Sequence, residues 1–338
     1  MPQLRILICR PDRIGDVVLS THLPREIKAE RPDSFVAMLV REETKDIFLN
    51  NPNVDAIITL NENGSPKRFW KLAKEIIGYK FTRAFMLLPD ERINWILFFS
   101  LIPIRIGVGH KLYQFLSFSK YVDRMKYTEN RHEADYCSDM LRKIGIETKS
   151  NNPEIFLSPE EIQQASDFRN SLHKGKRIIG VNSTSGGSTA NLSVNEYQKL
   201  IIKLSKDENV QAVVTDYNVP QEIDELPGVL YPVRNTSLRK LIITIASLDV
   251  LISASTGPMH VAAALKIPTL PVFCPLPACS PELWGPLGNN SKIIFPEKDY
   301  CQIKCPGDPK KCKFEGEGGI DHTLILKALP EMLSALKV

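Results

Sequence analysis

The sequence predicts an α/β protein made of two doubly wound, Rossmann-like halves with a cleft between them, and three observations predict it. Short apolar runs of β type alternate with amphipathic helical patterns along the chain, which implies mostly parallel sheet with helices on both faces. The alternation pauses once, over Glu147–Lys176, and then resumes. In each half, a strand-like run hands over to a helix through a glycine-bearing loop, the place where open α/β sheets bind ligands.

The first run, Leu4–Cys9, leads through a charged turn to Gly15-Asp16 and a helix over Val17–Glu30. Strands follow at Phe35–Val40, Ala56–Leu60, Ala84–Leu88 and Ile104–Val108. Helices fall at Pro66–Ile77, Asn94–Leu101 and His132–Ile144, the last ended by Gly145, a residue suited to a helix C-terminus. Glu147–Lys176 reads as a connector, in which Ser158-Pro-Glu-Glu161 opens a helix that stops before His173. The second half carries strands at Arg177–Val181, Val210–Thr215, Val250–Ser253, Thr269–Phe273 and Lys292–Phe295. Its helices start near Ser193, Ser237 and Gly257, and Thr323–Leu336 is a last amphipathic helix. The expected domains are therefore residues 1–150 and 177–320, with a connector at 151–176 and a terminal helix at 321–338.

With 338 residues, 43% hydrophobic and 24% charged, the chain is long enough for two domains with full cores. Its net charge of +4 permits attraction to anionic lipid or phosphate. No dense Lys/Arg stripe with interleaved aromatics is present, so nucleic acid is not an expected partner. The N-terminal apolar run stops at Arg10, too short for a secretory signal, and a cytoplasmic location is expected. The longest nearly uncharged stretch, Trp95–Ile104, falls far below the roughly 18–20 residues that span a bilayer. It reads either as a buried helix and strand or as an apolar lip resting on a membrane, flanked by Arg92, Arg105 and Lys111.

Seven cysteines are scattered along the chain and read as free thiols. Cys301, Cys305 and Cys312 form a C-x3-C-x6-C cluster, with Cys279 and His322 as candidate fourth partners. A structural zinc site usually has tighter pairs, so no metal is expected.

Two regions carry residue types suited to chemistry. Asp16 is a carboxylate at a helix start beside Gly15, fit to act as a general base and equally fit to cap the helix. Asp12, four residues earlier, is the competing carboxylate, next to Arg10 and Arg13. In the second half, Gly180–Asn191 runs into a small-residue loop, Ser185-Gly186-Gly187-Ser188, ahead of Ser193-Val-Asn-Glu196, which reads as a capping box. Its amides can approach an anion, or the loop is merely a turn. A second loop, Ser255-Thr256-Gly257-Pro258, leads into a small-residue helix containing His260, whose role is structural or ligand-facing. Two anion-friendly helix starts in one half suggest a bound diphosphate.

Arg10-Pro-Asp-Arg-Ile-Gly-Asp-Val-Val-Leu-Ser20, Ser185-Gly-Gly-Ser188 and Ser255-Thr-Gly-Pro-Met-His-Val-Ala-Ala-Ala-Leu265 together resemble the lipopolysaccharide heptosyltransferases of glycosyltransferase family 9. Arg105-Ile-Gly107 and His132-Glu-Ala-Asp-Tyr136 are similar to the same family's mid-region, and the pieces occur in the family's order across nearly the whole chain. The resemblance implies a GT-B fold, two Rossmann-like domains facing across a cleft. It implies metal-independent, inverting transfer of heptose from ADP-heptose to a lipid A–core acceptor at the inner face of the cytoplasmic membrane, with no cofactor beyond the donor nucleotide sugar. It further implies that Asp16 is the catalytic base and that the acceptor lies on the N-terminal domain, where Arg13, Arg92 and Lys111 are candidate contacts. The nucleotide sugar would meet Ser185, Gly186, Gly187, Ser188, Glu222, Ser255, Thr256, Gly257 and His260.

The chain departs from the family pattern at three points. Family members usually carry Arg or Lys shortly after Gly-Gly-Ser, where Ala190 stands here, so restoring the cation as Ala190→Arg is expected to tighten ADP binding. The stretch before Glu222 reads Thr215-Asp-Tyr-Asn-Val-Pro-Gln, in which Asp216 and Tyr217 are expected to crowd the nucleotide. Ser255 takes a position often held by aspartate. Two other readings stay open: the same fold with another nucleotide sugar for surface polysaccharide, or a catalytically silent relative that binds glycolipid or nucleotide.

Overall fold

A computed structural model describes residues 3–60, 65–125, 131–172, 175–187 and 189–334. The chain divides into two compact units, Met1–Phe156 and Leu157–Val338. In the first, the elements run β1 (Arg5–Cys9), α1 (Ile14–Val18), α2 (His22–Glu30), β2 (Phe35–Arg41), β3 (Ala56–Leu60), α3 (Pro66–Gly78) and β4 (Arg83–Met86). They continue with α4 (Glu91–Phe99), β5 (Ile104–Val108), α5 (Leu112–Leu116), β6 (Lys120–Val122) and α6 (Glu133–Arg142). The sheet is parallel throughout, in the order β3-β2-β1-β4-β5-β6. Ile6, Leu7, Ile8 and Cys9 of β1 are all fully buried, as a central parallel strand covered on both faces requires. The winding reverses between β1 and β4.

The second unit runs α7 (Pro159–Ser171), β7 (Arg177–Asn182), α8 (Val194–Ser205), β8 (Val210–Val214), β9 (Val229–Leu230), α9 (Leu238–Ala246), β10 (Val250–Ala254) and α10 (Gly257–Ala264). After these come β11 (Thr269–Val272), α11 (Pro281–Trp284), α12 (Tyr300–Lys304) and α13 (His322–Ser334). Its parallel sheet has the order β11-β10-β7-β8-β9 and reverses between β7 and β10. Helix α7, in the stretch read as a connector, packs on α9 and is tied by the Arg239–Glu161 ion pair.

Three expectations are corrected. The helix expected over Val17–Glu30 is two helices, because the hydroxyls of Ser20 and Thr21 donate back to the carbonyls of Val17 and Val18, at 2.7 and 2.8 Å, and break it at Leu19–Thr21. The strand expected at Lys292–Phe295 is only a partner segment of β11, with isolated pairings Thr269–Ser291 and Val272–Ile294. Thr269 N and Phe273 N donate to Asn290 and Ile294, but Pro271 between them has no N–H to continue the ladder. The capping box at Ser193 does not form: Ser193 makes no side-chain cap, and Glu196 accepts from His322 N and pairs with His322 Nδ1, at 3.0 and 2.7 Å. That contact ties α13 to α8.

Gly107 in β5 has a packing reason. A Cβ there would run into the side-chain amide of Gln114 and Met86 Cε, so the Arg105-Ile-Gly107 signature preserves the seating of α5 on the sheet.

His22, at the start of α2, is fully buried against α6, its Nε2 2.9 Å from Ser138 Oγ. Burial, with Arg25 adding to it, pushes its imidazole down to about 3. An unfolded His titrates near ~6.5, so between these values the unfolded chain binds the extra proton. The first unit should therefore lose stability as the pH falls below about 6.5, by up to ~1.4 kcal/mol per pH unit, until the folded imidazole itself titrates. Urea unfolding at stepped pH checks this, and His22→Gln should flatten the dependence.

Candidate active site

In the first unit the turn after β1 lies at the sheet's reversal point, and one side chain organises it. Arg10 is 1% exposed. Its Nη1 donates to Leu87 O at 2.9 Å, beyond the end of β4, which pins together the two strands flanking the reversal. Its Nη2 donates to Asp16 Oδ1 at 3.0 Å and to Glu133 Oε1 at 2.9 Å, and its Nε pairs with Asp12 Oδ2 at 3.0 Å. Arg124 Nη1 adds a second cation 3.3 Å from Glu133 Oε1. Three carboxylates thus meet two guanidiniums, the arrangement that makes buried charge tolerable.

The three carboxylates differ in what they can reach. Glu133, the first residue of α6, is fully buried, and Asp12 is 13% exposed while Asp16 is 27% exposed. Burial pushes the Asp12 carboxyl up, against the pull of Arg10 and with Asp16 and Glu133 adding to the rise. Asp16 stands in the first turn of α1 with Oδ1 held by Arg10, and none of the described residues donates to its Oδ2. Of the three it is the carboxylate placed to accept a proton from a bound molecule. Sequence reasoning reached Asp16 but missed Arg10 and Glu133 as its support, because the pair joins residues 123 positions apart. The signal lay in the family resemblance, whose pieces begin with Arg10 in one case and contain His132-Glu133 in another.

The candidate acceptor cations share the carboxyl edge of the first sheet. Arg13 is the exposed residue preceding α1, Arg92 is half-buried in the first turn of α4, and Lys111 is exposed ahead of α5.

In the second unit, the loops after β7 and β10 flank the reversal point of that sheet. Ser185 is half-buried, and Gly186 and Gly187 are exposed, Gly187 with φ +68° in the left-handed region that favours glycine. Ser188 lies outside the described residues. The loop is anchored at both ends. Asp216, fully buried, accepts from Asn182 Nδ2 and from the amides and hydroxyls of Ser183 and Thr184. Asn191 Nδ2 donates to Ser183 O at 2.8 Å, and its Oδ1 accepts from Tyr197 Oη at 2.7 Å. Between these two anchors, Gly186 and Gly187 are exposed. In the second loop Thr256, backbone extended, precedes α10, with Gly257 and Pro258 as its first residues; Ser255 and Thr256 are half-buried, and His260 is buried. Glu222 is exposed on a short 3-10 helix, Gln221–Ile223, in the loop after β8, the strand next to β7.

Two expectations about departures from the pattern are overturned here. Asp216 does not crowd the nucleotide loop; it turns into the scaffold and braces that loop. Ala190 is fully buried in the hydrophobic core with Leu192 and Tyr197, so an arginine there would enter the core rather than reach a ligand.

Among the described residues no three His, Cys, Asp or Glu side chains are grouped to hold a metal ion. All seven cysteines are free thiols, and His322 is engaged by Glu196. Cys312 packs in the core, and its carbonyl accepts from Asn191 N at 3.3 Å, so the cysteine loop supports the end of the Ser185–Gly187 loop.

Two substitutions test this reading. Arg10→Met, which takes the guanidinium from Asp12 and Asp16 and leaves Glu133 with Arg124 alone, should cost the first unit about 3–5 kcal/mol in chemical unfolding followed by a probe in that unit. Ala190→Arg should destabilise the second unit by at least ~1–3 kcal/mol without tightening ADP in calorimetry.

The profile of the family described as "Glycosyltransferase family 9 (heptosyltransferase)" matches residues 69–312. The chain is 24% identical to lipopolysaccharide heptosyltransferase 2 of Salmonella typhimurium, over 98% of this chain and 99% of that one. A family 9 glycosyl transferase from Veillonella parvula superposes with a TM-score of 0.81 at 20% identity, covering 98% of this chain and 97% of the other. The ADP-heptose lps heptosyltransferase II of Escherichia coli does so with a TM-score of 0.74 at 19% identity, covering 98% and 99%. Two parallel-sheet α/β domains of the GT-B kind, matched by the family profile over most of their length, establish that this chain belongs to glycosyltransferase family 9, the heptosyltransferases, and is a glycosyltransferase.

Proposed function

We propose that the protein transfers heptose from ADP-heptose to a lipid A–core acceptor of lipopolysaccharide, with inversion at the anomeric carbon and without a metal, on the inner face of the cytoplasmic membrane. The observation that carries the reading is the Arg10-held carboxylate of Asp16 at the reversal point of the first sheet, in a chain of this family. The names of its relatives support the substrates: a lipopolysaccharide heptosyltransferase and an ADP-heptose enzyme match it nearly end to end.

In this reading Asp16 Oδ2 takes the proton of the acceptor hydroxyl as its oxygen attacks the anomeric carbon. The bond from that carbon to the diphosphate breaks, ADP leaves, and Asp16 returns its proton to water. Arg10 fixes Oδ1, so the carboxylate presents one free oxygen in one orientation. Such preorganisation of a general base contributes typically ~10²–10⁴-fold. The departing diphosphate gathers negative charge, for which the amides of Gly186 and Gly187, the start of α10 and the hydroxyls of Ser185, Ser188, Ser255 and Thr256 are suited. Glu222 and His260 are assigned to the nucleotide sugar, and Arg13, Arg92 and Lys111 to the anionic acceptor.

Asp16→Asn keeps the hydrogen bond to Arg10 but cannot take a proton. It should lower transfer by about 10²–10⁴-fold while ADP affinity stays within about twofold. Undiminished transfer would remove Asp16 from the mechanism. Calorimetry with ADP, UDP, GDP and CDP in the presence of EDTA checks the donor: selective ADP binding is expected. Preference for another base would move the function to another sugar nucleotide, and binding of none would favour a silent relative.

A further inference from the structure

We propose that the outer faces of α3, α4 and α5 form one surface that docks on an anionic lipid bilayer. The three helices lie side by side on one face of the first sheet, α4 touching both neighbours. Their inward stripe is spent on the core: Leu72, Ala73 and Ile76 of α3 and Ile93, Ile96 and Leu97 of α4 pack against β1, β2 and β4. The outward side ought then to be polar throughout, as on an ordinary surface helix. It is only partly so. Trp70, Phe99, Leu101, Leu112, Phe115 and Phe118 are exposed, the last at 84%.

Direct contacts link the helices. Trp70 of α3 stands 5.0 Å from Phe99 of α4, centroid to centroid, and Phe99 stands 5.3 Å from Phe98, over which Arg105 lies at 5.3 Å. Arg105 Nη2 in turn donates to the carbonyl of Ser117, the residue before Phe118, at 2.6 Å. Large apolar side chains exposed together on three neighbouring helices are rare on a soluble monomer and mark an interaction surface. Trp95–Ile104, which the sequence left between two readings, contributes to both: Ile96, Leu97 and Ile102 are buried, while Phe99 and Leu101 face outward.

Charge identifies the occupant. Residues 66–120 carry ten Lys or Arg against three Asp or Glu, a larger excess than that of the whole chain. Lys67, Arg68, Lys71 and Lys74 line the exposed side of α3 around Trp70, and Lys111 and Lys120 bracket α5 and Phe118, all exposed. Apolar and aromatic side chains rimmed by cations match a bilayer whose headgroups are anionic, with the rings at headgroup depth and the cations against phosphates. A second copy of the chain would bring like charges together on this face. No helix among the described residues is long and apolar enough to cross a membrane, so the contact lies on the surface. The patch stands on its own geometry; it rests on the proposed function only for its purpose, which is to bring the enzyme to a lipid-borne acceptor.

The test uses the full chain and reads binding, not transfer. Co-sedimentation with vesicles of phosphatidylcholine alone and of phosphatidylcholine with phosphatidylglycerol should show binding to the second kind, weakened by salt, with a blue shift of tryptophan emission. The double substitution Phe115→Asp, Phe118→Asp should reduce vesicle binding by at least about tenfold. Lys67→Glu with Lys71→Glu should abolish the preference for phosphatidylglycerol. All four sites are exposed, and an unchanged melting curve confirms folding. Absence of vesicle binding by the native chain, or equal binding by the double-Asp variant, overturns the proposal. A native dimer in light scattering that Phe115→Asp, Phe118→Asp dissociates would make the face a self-association surface and overturn it likewise. Because these readouts involve neither Asp16 nor nucleotide, failure of the catalytic reading leaves them unaffected.

Discussion

A guanidinium taken out of water must find protein acceptors for its donors, and Arg10 finds them on three separate pieces of chain. It holds its own turn through Asp12 and Asp16, the end of β4 through Leu87 O, and the start of α6 through Glu133. The reversal of winding between β1 and β4 opens the crevice, and Arg10 closes its floor. A planar fork that serves several acceptors at fixed angles suits this task, and an ammonium on a flexible stem would not hold Asp16 in one orientation. The position of the candidate base therefore follows from one buried charge and the strand order that surrounds it.

The second unit meets the opposite demand by the opposite means. A loop proposed to receive a diphosphate would have to offer N–H and O–H groups to it, so a carboxylate beside that loop cannot face the ligand. Asp216 is accordingly turned inward, where it consumes donors from residues 182–184, while Asn191 fastens the far end of the loop. Between those two anchors lie Ser185, half-buried, and the exposed Gly186 and Gly187. Both units thus place their candidate site residues at a reversal point, with a cation behind a carboxylate in one and a carboxylate behind amides in the other.

Much of this was legible from residue order. Central parallel strands are apolar on both faces, so β1, β2, β5, β7 and β10 stand out as short unbroken runs, and their boundaries fall within a residue or so of the expected ones. The elements that escaped were those whose pattern is too short or whose cause is remote. β6 and β9 are three and two residues long. The break between α1 and α2 depends on two hydroxyls turning back on the helix, and the failure of the last strand depends on a proline in its neighbour. Glu196 resembles a local cap by spacing alone, but a histidine 126 residues away claims it.

The sequence by itself determined the fold class, the two glycine-bearing loops and Asp16, because periodicity, turn chemistry and helix-start preferences act over a few residues. Only the tertiary structure decided which charges are partners, that Ala190 belongs to the core and that Asp216 braces a loop. Those facts depend on side chains brought together by strand order from distant parts of the chain, and a buried position or an ion pair has no local signature. The same holds for the apolar face of α3, α4 and α5: three separate stretches each expose a few large side chains, and only their packing against one sheet makes them a single surface.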